Sequence, residues 1–364
     1  MHLPKNLRIA FGAAVSLLCL AAACYQVRPA ELCHSLRGIN LPALLVCLAF
    51  FLLSCLMRAL IWRITAARHE SSGRRTLGLS NLFGGVMVGY MANNLLPLRA
   101  GELVRAYYLS RRTGTPYTEA FATVCIERAL DLCALLLLLA AGLLLPARGP
   151  APEGIKFGLG VLVCALSVGA VLLFAAASVK DRLRSSRLSL SLQKRVTEFT
   201  APLLRLGRPK TVALLVLLAL AVWAASYVSL LALLWGTPAW EPPEQAGNRL
   251  GAALLLLLFV NLGLLLPSSP GALGVMQVAF LAALTPFGIL KADALALSFA
   301  YHGGLYLLTL TLGTAYALPA GFSIFRAGQP TRSEGKTALC QQLPSAIKIH
   351  RAGAQEIPPR DRKN

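Results

Sequence analysis

Charged side chains occur inside an apolar segment of this sequence, where ionised groups are costly and are therefore candidates for function. Glu127, Arg128 and Asp131 lie within the apolar run 121–145. In a helix the two carboxylates are one turn apart on the same face, and Arg128 points about 100° away from them. Such groups could bind a phosphate, accept a proton or form structural ion pairs. Because two carboxylates repel at this spacing, we expect at least one of them to have an arginine partner or a bound proton.

A second polar cluster interrupts another apolar run. The stretch NNLLPLRAGELVRAYYLSRR follows FGGVMVGYM and contributes these candidate site residues: Asn93, Asn94, Pro97, Arg99, Gly101, Glu102 and Arg105. Pro97 lacks an amide donor and Gly101 allows close backbone approach, so we expect the helix to break here. Helix N-termini at such a break present unpaired amides that favour an anionic ligand. The alternative for Arg99 and Arg105 is extension toward the lipid headgroups.

The composition of the chain is that of a membrane protein. Hydrophobic residues make up 56% of the 364 positions and charged residues only 14%, and the mean hydropathy is +0.64. A spanning helix needs about 20 apolar residues. Apolar runs near that length occur at 9–25, 39–57, 79–97, 121–145, 157–179, 211–235, 250–266, 273–290 and 294–322. We therefore predict an all-α polytopic membrane protein with about six full transmembrane helices and two broken or re-entrant helical hairpins, or roughly seven to nine hydrophobic segments.

The net charge of +20 is distributed unevenly between the connecting segments. Lys and Arg concentrate in the N-terminus, 58–75, 99–112, 180–210 and the tail after Phe325. Because basic loops remain in the cytoplasm, this pattern predicts cytoplasmic N- and C-termini and explains the charge without a nucleic acid partner. Both ends of 79–110 then lie in the cytoplasm, which predicts a re-entrant hairpin. Residues 1–24 could be either a signal anchor or a cleaved signal peptide.

The first break has a counterpart later in the chain. LLPLRAGEL, residues 95–103, returns as LLPSSPGAL, residues 265–273. The charge pattern places the ends of 250–290 outside, so the two breaks would approach from opposite sides, as in an inverted-topology repeat with halves 39–145 and 211–322. A chance recurrence of Leu-Leu-Pro is the alternative. The second segment is equally compatible with two full crossings.

These motifs together carry a family resemblance. NNLLPLRAGELVRAYYLSRR, ERALDL (127–132) and LLPSSPGALGVMQVAFL (265–281) resemble the lysylphosphatidylglycerol synthase transmembrane region, a family of flippase-like membrane proteins, over residues 5–325. The resemblance implies a bacterial inner-membrane domain, 1–325, that handles polar or anionic lipids, in some members an aminoacylated phospholipid and in others isoprenoid-type lipids. The matching positions are Asn94, Pro97, Gly101, Glu102, Arg105, Glu127, Arg128, Asp131, Pro267, Pro270, Gly271 and Gly274. With Asn93, Arg99, Ser268, Gln277, Tyr301 and His302, they form the predicted substrate-binding set.

The second half departs from the family pattern at several positions. Where the family has Pro-Gly-Gly-x-Gly followed by a Glu, this chain has Ala272 and Gln277. Where the family has Tyr-Arg, this chain has Tyr301-His302. The loss of a carboxylate and a guanidinium has two interpretations: the two side chains pair and were replaced together, or coupling in this half is lost.

Three classes of function remain open. The broken repeats and buried charges favour a transporter or flippase for an anionic phospholipid or a polyprenyl-type lipid. An enzyme acting on a lipid-linked group, with Glu127 or Asp131 as base and Arg99 or Arg105 holding a phosphate, is less favoured because no nucleotide, metal or nucleophile motif occurs. No cofactor is expected. The third class is an accessory protein that partners a lipid-synthesis enzyme.

The C-terminal segment 326–364 is basic and polar, and Pro and Gly interrupt it. This composition predicts a disordered cytoplasmic tail and does not match the soluble synthase domain that is fused to some members of the family.

Overall fold

The structure is a computed structural model, and it describes residues 5–66, 78–96, 100–144, 190–206, 209–237, 246–264 and 269–319. These residues form helices and turns without strands, which confirms the all-α prediction. The helices are α1 (Lys5–Cys24), α2 (Pro29–Arg37), α3 (Leu41–Ala66), α4 (Leu79–Leu95), α5 (Gly101–Thr113), α6 (Tyr117–Leu144), α7 (Leu190–Arg205), α8 (Pro209–Trp235), α9 (Ala246–Gly263), α10 (Val275–Leu284) and α11 (Lys291–Ala317). Short 3-10 turns cover Pro270–Ala272 and Thr285–Phe287. Several predicted features lie outside the described residues: Pro97, Arg99, Pro267, Ser268, the run 157–179 and the tail 326–364.

The described helices include enough apolar length for a multi-pass membrane protein. The segments Leu41–Ala66, Pro209–Trp235, Pro270–Phe287 and Lys291–Ala317 are each long and apolar enough to span a bilayer. A fifth span results if α1 and α2, which are bent by 86°, are counted as one. The count of seven to nine apolar segments is not confirmed.

Helix α3 lies at the centre of the fold and contacts partners on two sides. Along one side it packs antiparallel to α8, where the hydroxyl of Ser229 donates to the carbonyl oxygen of Cys47 at 2.7 Å. Along another side it packs antiparallel to α6, where Trp62 Nε1 donates to Thr123 Oγ1 at 2.8 Å. Trp62 and Ser229 are both buried. A helix that is apolar all round can bury several faces at once, and the sequence of α3 fits this use.

The first hairpin is formed by α4 and α5, which pack antiparallel. A Cβ atom added to Gly89 of α4 would overlap the side chain of Arg105 in α5. A Cβ atom added to Gly101 would overlap the carbonyl oxygen of Gly89 and the side chain of Asn93. The chain therefore reverses direction between the two helices, as the predicted break at Pro97 and Gly101 requires, and only glycine fits at this closest approach.

The second hairpin is formed by α9 and α10, joined through the turn Pro270–Ala272. Gly263 near the end of α9 faces Val275 and Ala279 of α10. At the tip, the space beside Gly271 is bounded by the ring of Tyr306 in α11 and by the backbone carbonyl of Asn94 in α4. The tips of the two hairpins are thus in contact with each other.

Helix α11 shows how deep this contact lies. At about 1.5 Å per residue, Tyr306 is about 23 Å from the start of α11 and about 17 Å from its end. The tip of the second hairpin therefore reaches the middle of a helix that is long enough to span the bilayer. Between the two alternatives for 250–290, this packing favours a re-entrant hairpin.

The two hairpins also approach α11 from opposite ends. Helix α4 runs antiparallel to α11, with Ser80 near Tyr316 and Asn94 near Thr309. Helix α10 starts beside the middle of α11 and runs back toward its Lys291 end, with Phe280 against Tyr301. This geometry is the arrangement expected of an inverted repeat. The relation between the two halves, 39–145 and 211–322, stays a prediction.

Cross-linking between the hairpin tips tests this packing. In a background without native cysteines, Leu95→Cys with Pro270→Cys should cross-link with short bifunctional reagents, because these positions adjoin the contact between Asn94 and Gly271. The control pair, Leu214→Cys with Pro270→Cys, places one thiol on an exposed position of α8. Equal yields for the two pairs, measured by gel mobility, would contradict the contact between the tips.

Candidate functional site

The centre of the candidate site is a two-pronged ion pair between α5 and α6. Arg105 Nη2 lies 2.7 Å from Glu127 Oε2, and Arg105 Nη1 donates to Glu127 Oε1 at 3.2 Å. Glu127 is fully buried and the side chain of Arg105 is only 4% exposed. The guanidinium also lies over the ring of Trp62, 4.7 Å from its centroid. Arg105 is therefore held inside the protein and does not extend to the headgroups.

A second arginine, from α3, joins the same carboxylates. Arg58 Nη1 lies 2.6 Å from Asp131 Oδ2 and 3.1 Å from Glu127 Oε1. Trp223 Nε1 of α8 donates to the other oxygen of Asp131 at 3.2 Å. The charge pattern assigned Arg58 to a cytoplasmic basic loop, and this assignment was wrong. Helix α3 continues to Ala66, so Arg58 is buried, and carboxylates from α6 compensate its charge.

Arg128 and Glu102 form the exposed edge of the cluster. Arg128 Nη2 lies 2.9 Å from Glu127 Oε1 and 3.2 Å from Asp131 Oδ2. Its Nη1 lies 3.7 Å from Glu102 Oε1. The side chains of Arg128 and Glu102 are 43% and 32% exposed, respectively. The prediction that Arg128 points away from the two carboxylates was wrong, because its long side chain curls back along the helix to reach both.

Six charged side chains form one network, in which three positive and three negative charges balance. They are Arg58, Glu102, Arg105, Glu127, Arg128 and Asp131. Arg58 lies about 12 Å from the Ala66 end of α3, and Glu127 lies about 15 Å from the start of α6. Both helices are longer than a hydrocarbon core of about 30 Å, so these distances place the network inside the helical bundle and nearer to one membrane surface than to the other. Inside this network, the Nε atoms of Arg58 and Arg105 are buried without a hydrogen-bond acceptor among the described residues.

Amides at the two breaks are paired with protein groups. The amide of Gly101, at the start of α5, donates to Asn93 Oδ1 at 2.8 Å. The amide of Gly274, which precedes α10, donates to Gln277 Oε1 at 2.7 Å. Ser269 N likewise donates to Ser16 Oγ of α1 at 2.9 Å. The prediction that the amides at the helix breaks are free to bind an anion is therefore wrong for these three amides. Side-chain oxygens already accept hydrogen bonds from them.

The predicted site residues fall into two groups in the structure. Around the first break, the structure brings together Glu102, Arg105, Glu127, Arg128 and Asp131, while Asn93 and Asn94 join helix ends. Around the second break it brings together Pro270, Gly271, Gly274, Gln277 and His302, and Tyr301 packs in the core beside Phe280. Sequence reasoning missed Arg58, Trp62 and Trp223. For Arg58 a signal was present, because the apolar pattern continues past it in LMRALIW.

The sequence matches the family model described as lysylphosphatidylglycerol synthase TM region over residues 9–313. The chain belongs to this family. It is 26% identical over 363 residues to glycosyltransferase AglD of Haloferax volcanii, a match that covers 90% of this chain and 56% of that protein. It is 30% identical over 119 residues to a UPF0104 membrane protein of Methanothermobacter thermautotrophicus, covering 32% of this chain and 34% of the relative. A UPF0104 membrane protein of Methanocaldococcus jannaschii is 36% identical over 88 residues, covering 22% and 26%. The chain thus spans little more than half of the Haloferax protein and less of the other two.

The departures from the family pattern have a structural setting. Gln277 Nε2 lies 3.5 Å from His302 Nδ1, so the two positions at which the family's charged groups are absent are neighbours. This contact favours the interpretation that the two side chains were replaced together. Ala272 has φ of +56°, in the left-handed region, where the family pattern has glycine. An alanine there is strained by about 1 kcal/mol.

The burial of Arg58 predicts a large effect on stability. Arg58→Met leaves the carboxylate of Asp131 with less compensation and should lower the free energy of unfolding by about 3–5 kcal/mol. Arg63→Met changes an exposed arginine of the same helix and should alter it by less than about 0.5 kcal/mol. Unfolding in detergent, followed by circular dichroism, measures both. Equal effects would mean that Arg58 is not part of a buried network.

The left-handed backbone at Ala272 predicts a stabilising substitution. Ala272→Gly should raise the apparent unfolding temperature, because relief of about 1 kcal/mol of strain exceeds the entropy that glycine adds to the unfolded chain. Gly274→Ala should lower it, since Gly274 has φ of +85° and an added Cβ atom would overlap the backbone of α1. A lower unfolding temperature for Ala272→Gly would contradict the assigned backbone.

Proposed function

We propose that this protein moves a lipid with an anionic headgroup across the membrane. The observation that carries this proposal is the balanced ionic network buried between membrane helices, with Arg128 and Glu102 at its exposed edge. Charged groups within membrane-spanning segments are costly in lipid, and they are typical of pathways for polar substrates. Anionic phospholipids and polyprenyl-type lipids both carry the phosphate that a guanidinium binds well. A bacterial inner membrane is the location that this function implies.

Arg128 is the residue we assign to the headgroup phosphate. It is the most exposed arginine of the network, and all its partners are carboxylates: Glu102, Glu127 and Asp131. A phosphate can replace these oxygens one by one, so Arg128 need not lose all its partners before it binds substrate. Arg58 and Arg105 continue to compensate Asp131 and Glu127 while Arg128 is engaged. The site therefore accepts a charged headgroup without leaving a buried carboxylate unpaired.

The hairpins provide the movement that transport requires. Their tips meet where the carbonyl oxygen of Asn94 approaches Gly271, and the amide of Asn94 donates to Thr309 at 2.9 Å. In the mechanism that we propose, one hairpin rocks against the other about this point. Alternate opening on the two sides would then carry the headgroup past a nearly fixed centre, as in transporters with inverted repeats.

A membrane-embedded enzyme is the second candidate, and the observation in its favour is the similarity to a protein named as a glycosyltransferase. The network argues against Glu127 or Asp131 as a general base. Glu127 contacts three arginines and Asp131 contacts two, and a carboxylate held in this way is a poor proton acceptor. Partnership with a lipid-synthesis enzyme is compatible with either function.

Purified protein in liposomes distinguishes these functions. Fluorescent phosphatidylglycerol or a polyprenyl phosphate is placed in both leaflets, and an external quencher reports exchange. Complete quenching without a new lipid species supports transport. A new lipid species on thin-layer chromatography would support an enzyme, and neither result would support an accessory role.

Arg128→Gln should reduce transbilayer exchange by at least about tenfold, because it removes the exposed guanidinium while Arg58 and Arg105 still compensate the buried carboxylates. Its unfolding temperature should stay close to that of the wild type, since Arg128 is only partly buried. The control, Arg195→Gln, changes an exposed charge on α7 and should leave exchange unchanged. Wild-type exchange by Arg128→Gln would contradict the assignment.

A further inference from the structure

A separate cavity lies at the opposite end of α3 from the ionic network. Its volume is about 880 Å³, within the usual range for ligand pockets. It is bounded by α2, by the residues that precede α3, by the end of α8 at Gly236 and by the start of α11. Arg58 lies about 26 Å from the start of α3, so the cavity and the network are near opposite ends of this helix.

The position of α2 places this cavity at the membrane surface. Helix α2 is bent by 86° from α1, and it contains no buried residue. A short, exposed helix that is bent at this angle from its neighbour fits a position along the interface, where headgroups and the first acyl carbons meet. The lining of the cavity is correspondingly mixed, with apolar residues such as Leu233 and Leu297 beside charged ones.

The charged lining residues carry both signs. Lys291 and Asp293 lie in the first turn of α11, and Glu31 and His34 come from α2. Among the described residues no ion pair is formed by Lys291 or Asp293, whereas Glu31 lies 3.8 Å from Arg28. Helix α11 starts without a side-chain cap, so its first amides add positive potential beside Lys291.

We propose that this cavity binds the headgroup of a zwitterionic phospholipid, one that carries both a phosphate and an ammonium group. Lys291 and the first turn of α11 bind the phosphate, and Asp293 binds the ammonium. The apolar lining accommodates the start of the acyl chains. This proposal goes beyond the proposed function, because the cavity lies at the opposite end of α3 from the network and would bind a different class of lipid, and binding to it does not require transport.

Binding of short-chain lipids to the full-length protein in detergent tests the proposal. A variant that retains only Cys33, an exposed native cysteine of α2, carries an environment-sensitive fluorophore. It is titrated with dihexanoyl phosphatidylethanolamine, dihexanoyl phosphatidylglycerol and dihexanoylglycerol, which have the same acyl chains. We expect the phosphatidylethanolamine to bind at least about tenfold more tightly than either of the others. Equal affinity for all three would overturn the proposal, and so would tighter binding of phosphatidylglycerol.

Two substitutions separate the contributions of the two charges. Lys291→Ala should weaken the binding of both phospholipids by about tenfold, whereas Asp293→Asn should weaken the binding of phosphatidylethanolamine alone. Lys194→Ala, on the exposed face of α7, is the control and should change neither affinity. Loss of both affinities in Asp293→Asn, with an unchanged unfolding temperature, would contradict the assigned roles.

The Arg128→Gln variant distinguishes this proposal from the proposed function. It should bind phosphatidylethanolamine like the wild type, because Arg128 lies outside the cavity. Binding without any transport by the wild type would refute transport and leave the cavity assignment intact. Transport without selective binding would refute the cavity assignment alone.

Discussion

Charges buried in a membrane must be compensated inside the protein, and this constraint shapes the centre of the fold. Arg58 comes from α3, Arg105 from α5, and Glu127 and Asp131 from α6. None of these helices could bury its charge alone at an acceptable free energy. The distances of 2.6 Å and 2.7 Å between the closest partners require the three helices to meet at one depth. Trp62 and Trp223 then close the cluster with a cation–π contact and a hydrogen bond.

The breaks in the two hairpins follow from a related constraint on the backbone. An amide freed by a helix break inside the membrane needs an acceptor, because no bulk water is present there. Asn93 accepts the amide of Gly101, and Gln277 accepts that of Gly274. Both breaks are thus stabilised by amide side chains, from residues eight and three positions away in the sequence, respectively. In the function that we propose, the headgroup is therefore bound by the exposed guanidinium of Arg128 and not by these two helix ends.

Sequence patterns predicted those features that depend on local chemistry. The apolar runs predicted long helices such as α3, α8 and α11, Pro97 and Gly101 predicted the reversal of the chain, and Glu127 with Asp131 predicted an arginine partner. The position of Arg58 depends on where α3 ends. The rule that basic loops remain in the cytoplasm counts charged residues near the ends of apolar runs, and it does not show which of these residues belong to the membrane helix itself. The direction of Arg128 depends on the rotamer of a long side chain, which helical spacing does not determine.

Features that depend on distant segments were less accessible to sequence reasoning. The interpretation of the second hairpin as re-entrant depends on the contact between Gly271 and Tyr306, and the cavity is formed by segments from three parts of the chain. The motif comparison predicted a relation between the hairpins but not the contact between their tips. No pattern in LLPSSPGAL distinguishes a hairpin that stops at mid-depth from two complete crossings.

A double-mutant cycle between Arg105 and Glu127 tests the central claim that these charges form one compensated network. The free energies of unfolding of Arg105→Met, Glu127→Gln and the double variant are compared with that of the wild type in detergent. Because each single change leaves a buried charge without its two-pronged partner, the account predicts a coupling energy of about 2–3 kcal/mol. Additivity of the two changes within about 0.5 kcal/mol would show that Arg105 and Glu127 do not stabilise each other, and would contradict the network.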